Sequence, residues 1–194
     1  EIRRLDVRVG DTVMLRKAGD VIPEIFDVVK ELRPKTAKIF MMSTTCPECG
    51  SVLVKDIVGK ESSAAWYCKN KKCPAQHLEG LSHFVSKKGM NIDGLGERIV
   101  ETFHDIGLIT DAASIYDLKK EDIEGLDGFG EKSAENIIAS IEQSKTVPLH
   151  RFLYSLGIRH VGEQTAKDIA KHFLTFDRLQ KATNEELAHV EGVG

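Results

Sequence analysis

A glycine-bracketed string recurs along the second half of this chain at a nearly fixed spacing. It reads Gly94-Leu95-Gly96, then Gly128-Phe129-Gly130, then the looser His160-Val161-Gly162, and last Gly192-Val193-Gly194. The final glycines stand at 96, 130, 162 and 194, so the steps are 34, 32 and 32 residues. Such a period marks a repeated supersecondary unit whose copies stack to bury one shared apolar core. Residues 81–194 are therefore expected to form a helical array, with a tight hairpin in each copy.

The residues around the strings agree. Leu78, Leu81, Phe84 and Val85 share one helical face before the first string, and Ile99, Val100, Phe103 and Ile106 share one after it. Ile137, Ile138 and Ile141 follow the second string. Leu149, Phe152, Leu153 and Leu156 precede the third, with Ala166, Ile169, Ala170 and Phe173 after it. Thr183 and Glu186 have the spacing of a capping box ahead of Leu187. These stripes are core. The chemistry is expected on the hairpins.

A glycine hairpin that opens onto a helix aims several backbone N–H groups, and the positive end of the helix dipole, at one point. Glycine permits positive φ and keeps side chains out of the way of a ligand. Such a cradle suits an anion, and the expected anion is a nucleic-acid phosphate. Cations stand close by: Arg98 after Gly96, Lys132 after Gly130, and Arg159 before His160. Contacts of this kind read backbone and not base. For any one copy the competing explanation is a turn used only for packing; four copies at one period favour phosphate.

Charge complicates this reading. Residues 1–74 carry 14 Lys and Arg against 10 Asp and Glu, while residues 75–194 carry 13 against 20. The repeat region is acidic, so phosphate contact there needs backbone amides and a few placed cations, with the acids turned away.

Four cysteines form two close pairs, Cys46-Pro47-Glu48-Cys49-Gly50 and Cys68-Lys69-Asn70-Lys71-Lys72-Cys73, with eighteen residues between Cys49 and Cys68. Two knuckles of this spacing supply the four thiolates of a tetrahedral, structural Zn²⁺; disulfides or free thiols are the alternatives. Four thiolates close the coordination sphere and leave no place for an activated water. The segment is too small for a core of its own, so metal is expected to hold it. His77 is a surplus ligand. Lys69, Lys71 and Lys72 face either nucleic acid or solvent.

Residues 1–39 read as strands. Val13 and Leu15 alternate with Thr12, Met14 and Arg16, Ala18-Gly19-Asp20 signals a turn, and Val21 to Val29 is rich in β-branched residues. Pro23 marks an edge position or a strand start. From pattern alone this is half of any small β-barrel. Arg16 and Lys17, just before the turn, face either a phosphate backbone or solvent. Two or three strands are too few for a stable sheet alone, and Gly194 falls inside a hairpin with no helix after it. The expectation is a piece of a longer protein. No apolar run has the length of a membrane span, no signal peptide opens the chain, and paired cysteines of this kind fit a reducing compartment. The expected location is the cytoplasm.

The strings Val9-Gly10-Asp11-Thr12-Val13, Arg16-Lys17-Ala18-Gly19-Asp20-Val21-Ile22-Pro23 and Leu156-Gly157-Ile158-Arg159-His160-Val161-Gly162-Glu163, in this order around a four-cysteine module, resemble bacterial NAD+-dependent DNA ligases. The hairpin units resemble helix-hairpin-helix motifs. The resemblance covers essentially the whole chain and implies a multi-domain, mainly α architecture. Residues 1–39 would be the back of an OB-fold, a partial β-barrel; 40–80 a small four-cysteine zinc finger; 81–194 an all-α domain of four tandem helix-hairpin-helix motifs, the fourth truncated. It implies duplex or nicked DNA as partner, a monomer, and a parent enzyme that seals nicks in replication and repair using NAD+ and Mg²⁺. It implies Zn²⁺ on Cys46, Cys49, Cys68 and Cys73, and DNA at Arg16, Lys17, Gly94, Gly96, Arg98, Gly128, Gly130, Lys132, Arg159, His160, Gly162, Gly192 and Gly194.

The family adenylates a lysine in a Lys-x-Asp-Gly motif. The nearest strings here, Asn91-Ile92-Asp93-Gly94 and Gly125-Leu126-Asp127-Gly128, lack that lysine, so no catalytic residue is expected in these 194 residues. Competing assignments are a DNA-binding module of another repair protein, such as a nuclease or junction-binding factor, and a helical protein-interaction array.

Overall fold

A computed structural model of the chain describes residues 1–19, 21–58 and 61–193, with backbone alone for 56–58 and 61–64. The chain divides into two compact units, Glu1–Lys69 and Asn70–Gly194.

In the first unit the sequence reads as strand from the start, yet one helical turn, α1 (Ile2–Leu5), comes first. Asp6 ends it in the left-handed region at φ 50°, which a short polar side chain tolerates. Arg33 holds this end. Its guanidinium donates to Asp6 Oδ2 at 2.7 Å, to the Asp6 carbonyl at 2.6 Å, and to both Asp11 carboxylate oxygens at 2.8 and 2.9 Å. These bonds hold the Asp11 carboxyl below the usual carboxylate range.

Strand β1 (Arg8–Val9) pairs antiparallel with β4 (Lys38–Ile39), and β2 (Val13–Ala18) with β3 (Ile22–Val28). A separate β-hairpin joins β5 (Leu53–Val58) to β6 (Glu61–Cys68). Among the described residues these are three two-stranded sheets with no closed barrel. The alternation of Val13 and Leu15 does not give a buried face: Leu15 is 65% exposed. A bulge between Met14 and Leu15 breaks the two-residue period there. Asp20 of the Ala18–Pro23 string lies outside the described residues.

The second unit is helical: α2 (Pro74–Val85), α3 (Glu97–Asp105), α4 (Lys120–Glu124), α5 (Glu131–Ser144), α6 (Leu149–Ser155), α7 (Glu163–Phe173), α8 (Phe176–Gln180) and α9 (Asn184–Ala188). Two cores hold it. One gathers Leu81, Phe84, Val100, Phe103, Ile137 and Ile141 with their neighbours; the other gathers Leu153, Ala166, Ile169, Phe173 and Val190. Each fully buried residue of this kind stabilises by roughly 1.5–3 kcal/mol, so the predicted stripes do hold the array. Two expected members fall out: Ile106 is 55% and Leu156 46% exposed. Both are C-cap residues, where the chain leaves the helical period that put them on the face. The capping box at Thr183 and Glu186 is formed, with each backbone N–H bonded to the other side chain.

Gly94 is fixed by packing as well as by its turn. Its φ is +91°, and an added Cβ would stand 2.7 Å from Ile137 Cγ1, a buried side chain of α5. Beside it, the Asp93 amide donates to Ser140 Oγ at 2.7 Å. Gly94→Ala should therefore destabilise the chain by about 1–3 kcal/mol through left-handed strain, before counting the clash with Ile137. Urea unfolding measures this, and an unchanged midpoint would refute it.

Candidate metal centre and nucleic-acid interface

Each cysteine knuckle is built by short-range backbone bonds. The Cys46 amide donates to the Ser51 carbonyl at 2.8 Å, and Gly50, at φ +68°, returns its own N–H to the Cys46 carbonyl at 2.9 Å. At the second knuckle the Cys73 amide donates to the Asn70 carbonyl at 3.0 Å. The four sulfur atoms lie within 4.8 Å of one another, and the Cys49 and Cys68 sulfurs are 3.5 Å apart. A tetrahedron with bonds of about 2.3 Å has edges near 3.8 Å, so the set fits Zn²⁺. A disulfide needs about 2.05 Å, which excludes one between Cys49 and Cys68. His77 is not part of the set. Its Nε2 bonds the Thr110 carbonyl at 2.5 Å, and its ring lies against His104.

The four glycine strings share one backbone device. Each sits at the end of a four-residue turn closed by the same hydrogen bond. Leu95 donates to Ile92 at 3.3 Å, Phe129 to Leu126 at 3.0 Å, Val161 to Ile158 at 2.9 Å, and Val193 to Val190 at 3.1 Å. The third residue of each turn has positive φ: Gly94 +91°, Gly128 +84°, His160 +68° and Gly192 +79°. That is the requirement of a type II-like turn.

The second glycines behave differently from expectation. Gly96, Gly130 and Gly162 have negative φ, and each is the N-cap of the next helix. Positive φ thus belongs only to the first residue of each string, which is glycine in three of them and His160 in the third. An added Cβ at 96, 130 or 162 meets no protein atom within 4 Å. Among the described residues, no protein acceptor takes the N–H groups of Gly96, Glu97 and Arg98, or those of Gly162, Glu163 and Gln164. At the second hairpin the Gly130 amide instead donates to Ser133 Oγ at 3.0 Å. Gly194 lies outside the described residues.

The first two hairpins face one cleft of about 920 Å³, lined by Gly94, Gly96, Arg98, Gly128, Ser133 and Asn136 among others. Leu95 is buried, as expected of the residue between the glycines, while Phe129, Val161 and Val193 are half-buried.

The first-turn acids of α5 and α7 are bound by lysines, whereas Glu97 of α3 has no ion pair among the described residues. Glu163 is bound by Lys167 at 2.7 Å and Lys88 at 3.0 Å, and those hydrogen bonds pull its pKa down to about 2. Lys120 binds Glu131 at 2.8 Å and Glu135 at 2.9 Å, and holds the Glu131 carboxyl below its usual range.

The NAD-dependent DNA ligase OB-fold domain model matches residues 1–37, and the NAD-dependent DNA ligase C4 zinc finger domain model matches residues 45–75. The chain thus carries the OB-fold and C4 zinc finger domains of NAD-dependent DNA ligases. A SAM-like helix-hairpin-helix tandem model matches residues 90–143 and a helix-hairpin-helix motif model matches 151–194. Over 100% of this chain it is 48% identical to a DNA ligase of Halalkalibacterium halodurans, 48% to one of Hahella chejuensis and 46% to one of Bacillus subtilis. The chain spans about 28% of the length of these curated relatives. The family's C4 zinc finger and the clustered sulfurs together make the metal a structural zinc.

Other residues were placed less well from sequence. Arg98 and Lys132 are exposed beside their hairpins. Arg16 is paired with Glu24 across the β2–β3 sheet and stacks on Phe26 at 4.8 Å; Lys17 is exposed. The acid-neutralising lysines Lys88 and Lys120 were missed, because they reach their partners only through tertiary contacts. Ser133 was missed although its place in the first turn is a capping signal. No described helix is long and apolar enough to cross a membrane.

Proposed function

We propose that this chain is the DNA-holding part of a nick-sealing, NAD+-dependent ligase. In this reading residues 1–39 belong to an OB-fold, 40–80 to a zinc finger on Cys46, Cys49, Cys68 and Cys73, and 81–194 to a tandem hairpin domain. The hairpins hold duplex DNA, nicked or intact, by its phosphates. The chain acts as a monomer in the cytoplasm, and the lysine that carries AMP, with the NAD+ and Mg²⁺ sites, belongs to other parts of the parent enzyme.

The observation that carries this is the repeated N-cap glycine. The fold does not need glycine at 96, 130 or 162, since φ is negative and a Cβ would meet open space. Open space beside outward N–H groups is what an approaching phosphate oxygen requires. The DNA ligase relatives support the choice of ligand.

The test is the double variant Gly96→Val and Gly162→Val, which blocks the approach to two helix N-termini. Its circular dichroism should match the parent chain, and its affinity for duplex DNA should fall at least tenfold, about 1.4 kcal/mol. Unchanged affinity would overturn phosphate cradling by these turns.

A further inference from the structure

The four cysteines that fit zinc differ in what reaches them from outside. Cys46 is 7% and Cys73 1% exposed, whereas Cys49 and Cys68 are half-buried. The two open sulfurs are also neighbours, 3.5 Å apart. Cys49 belongs to the first knuckle, and Cys68, the last residue of β6, opens the second. One sulfur of each knuckle therefore meets solvent, side by side with the other, while the remaining two are shielded.

Zinc does not need this arrangement. A structural site requires four thiolates at tetrahedral spacing, and shielding all four alike would protect it. An open, adjacent pair adds a route for oxidation, because attack on cysteine follows thiolate character and exposure. Bound to zinc, both sulfurs are thiolates. Linking them takes a movement of about 1.5 Å, from 3.5 Å to the disulfide distance of about 2.05 Å. The backbone beside Cys49 has room to follow, since a Cβ added at Gly50 meets nothing within 4 Å.

We propose that Cys49 and Cys68 are a peroxide-sensitive pair whose oxidation to a disulfide releases the zinc and reversibly unfolds the zinc finger. The oxidant is a hydroperoxide. One of the two thiolates attacks a peroxide oxygen. An S–O bond forms, the O–O bond breaks, and hydroxide or alkoxide leaves, giving a sulfenic acid. The neighbouring thiolate then attacks that sulfur. The S–S bond forms, the S–O bond breaks, and hydroxide leaves. The two sulfurs have lost two electrons, and the two oxygens of the peroxide have gained them. Only Cys46 and Cys73 stay available as ligands, half of the set a structural zinc requires. Pairing within a knuckle, Cys46 with Cys49 or Cys68 with Cys73, would in each case need a shielded sulfur. A thiol reductant reopens the bond by exchange, and the shielded pair, spared from oxidation, lets the site be rebuilt.

The experiment treats the zinc-loaded whole chain with hydrogen peroxide in slight excess. A chelating dye follows released zinc, and emission of Trp66, close to Cys68 on β6, follows the fold of the segment. Remaining thiols are alkylated and disulfides are mapped by mass spectrometry. The Cys49–Cys68 disulfide should predominate and appear in step with zinc release, with Trp66 emission moving to the red. Thiol reductant and fresh zinc should restore the emission. Cys49→His keeps a zinc ligand but cannot form the disulfide, so it should hold its zinc under peroxide that empties the parent chain. Cys46→His keeps both open thiols and should lose its zinc as the parent does. Elemental analysis first confirms zinc in each variant, and the disulfide map of the parent chain decides alone if either holds none. A map dominated by a knuckle's own pair, zinc retained under peroxide, or zinc lost through irreversible sulfinic acid would overturn the proposal.

Discussion

Chelating the zinc unfolds the cysteine segment of this chain while leaving the hairpin helices intact. Among the described residues between 45 and 75, only Cys46 and Cys73 are buried. No apolar core stands there to replace the metal. Structural zinc in small fingers contributes on the order of 10–16 kcal/mol of apparent binding free energy, which is folding free energy for the segment. The chain has a single tryptophan, Trp66 in β6, partly buried under Lys55 at 4.9 Å. Its emission should therefore shift to the red on chelation or in Cys73→Ser, with helical circular dichroism largely kept. Zinc should also leave as pH falls, because protons compete for the thiolates. Elemental analysis finding no zinc, together with unchanged Trp66 emission after chelator, would sink this account.

Binding to duplex DNA should weaken steeply with salt. If the hairpins and their cations neutralise about six phosphates, the slope of log affinity against log salt is roughly −5, a loss on the order of 10³-fold between about 50 and 200 mM. The net charge of −3 argues the other way, but net charge is not what a phosphate meets. Glu131 and Glu163 are bound by lysine side chains, which leaves the unpaired Glu97 at the start of α3 as the one first-turn acid beside the outward amides of the three described hairpin helices. A titration series in potassium chloride measures the slope. A flat series, or no binding at any salt, would favour a protein-interaction array instead.

The period and the cysteine spacing were legible because both are local patterns. Four turns at steps of 34, 32 and 32 residues give the array, and two knuckles give the metal. The apolar stripes located about half of the buried core; they wrongly included Ile106 and Leu156, where a helix ended earlier than its pattern, and left out Ile109, Ile115 and Ile123, which lie between the first two hairpins and are fully buried. What was hidden depends on distant partners. Nothing near Ile2 announces a helical turn, because Arg33 holds its end from far along the chain. Nothing near Gly94 announces Ile137 or Ser140. The split of roles within each glycine pair was also invisible. One letter serves a positive φ in the first position and open space in the second, and only backbone angles separate them.

The two cores of the helical unit are unequal. Among the described residues the first holds fifteen buried apolar residues and the second five. Local opening follows buried contact, so the half around Phe173 and Val190 sits nearer the low end of the stability range and the half around Phe103 nearer the global limit. The strained His160 turn lies in the softer half. A clamp built this way has a stiff jaw and a compliant one. Under the proposed DNA-holding function, the stiff jaw keeps its shape between encounters and the compliant jaw adapts to the duplex it meets.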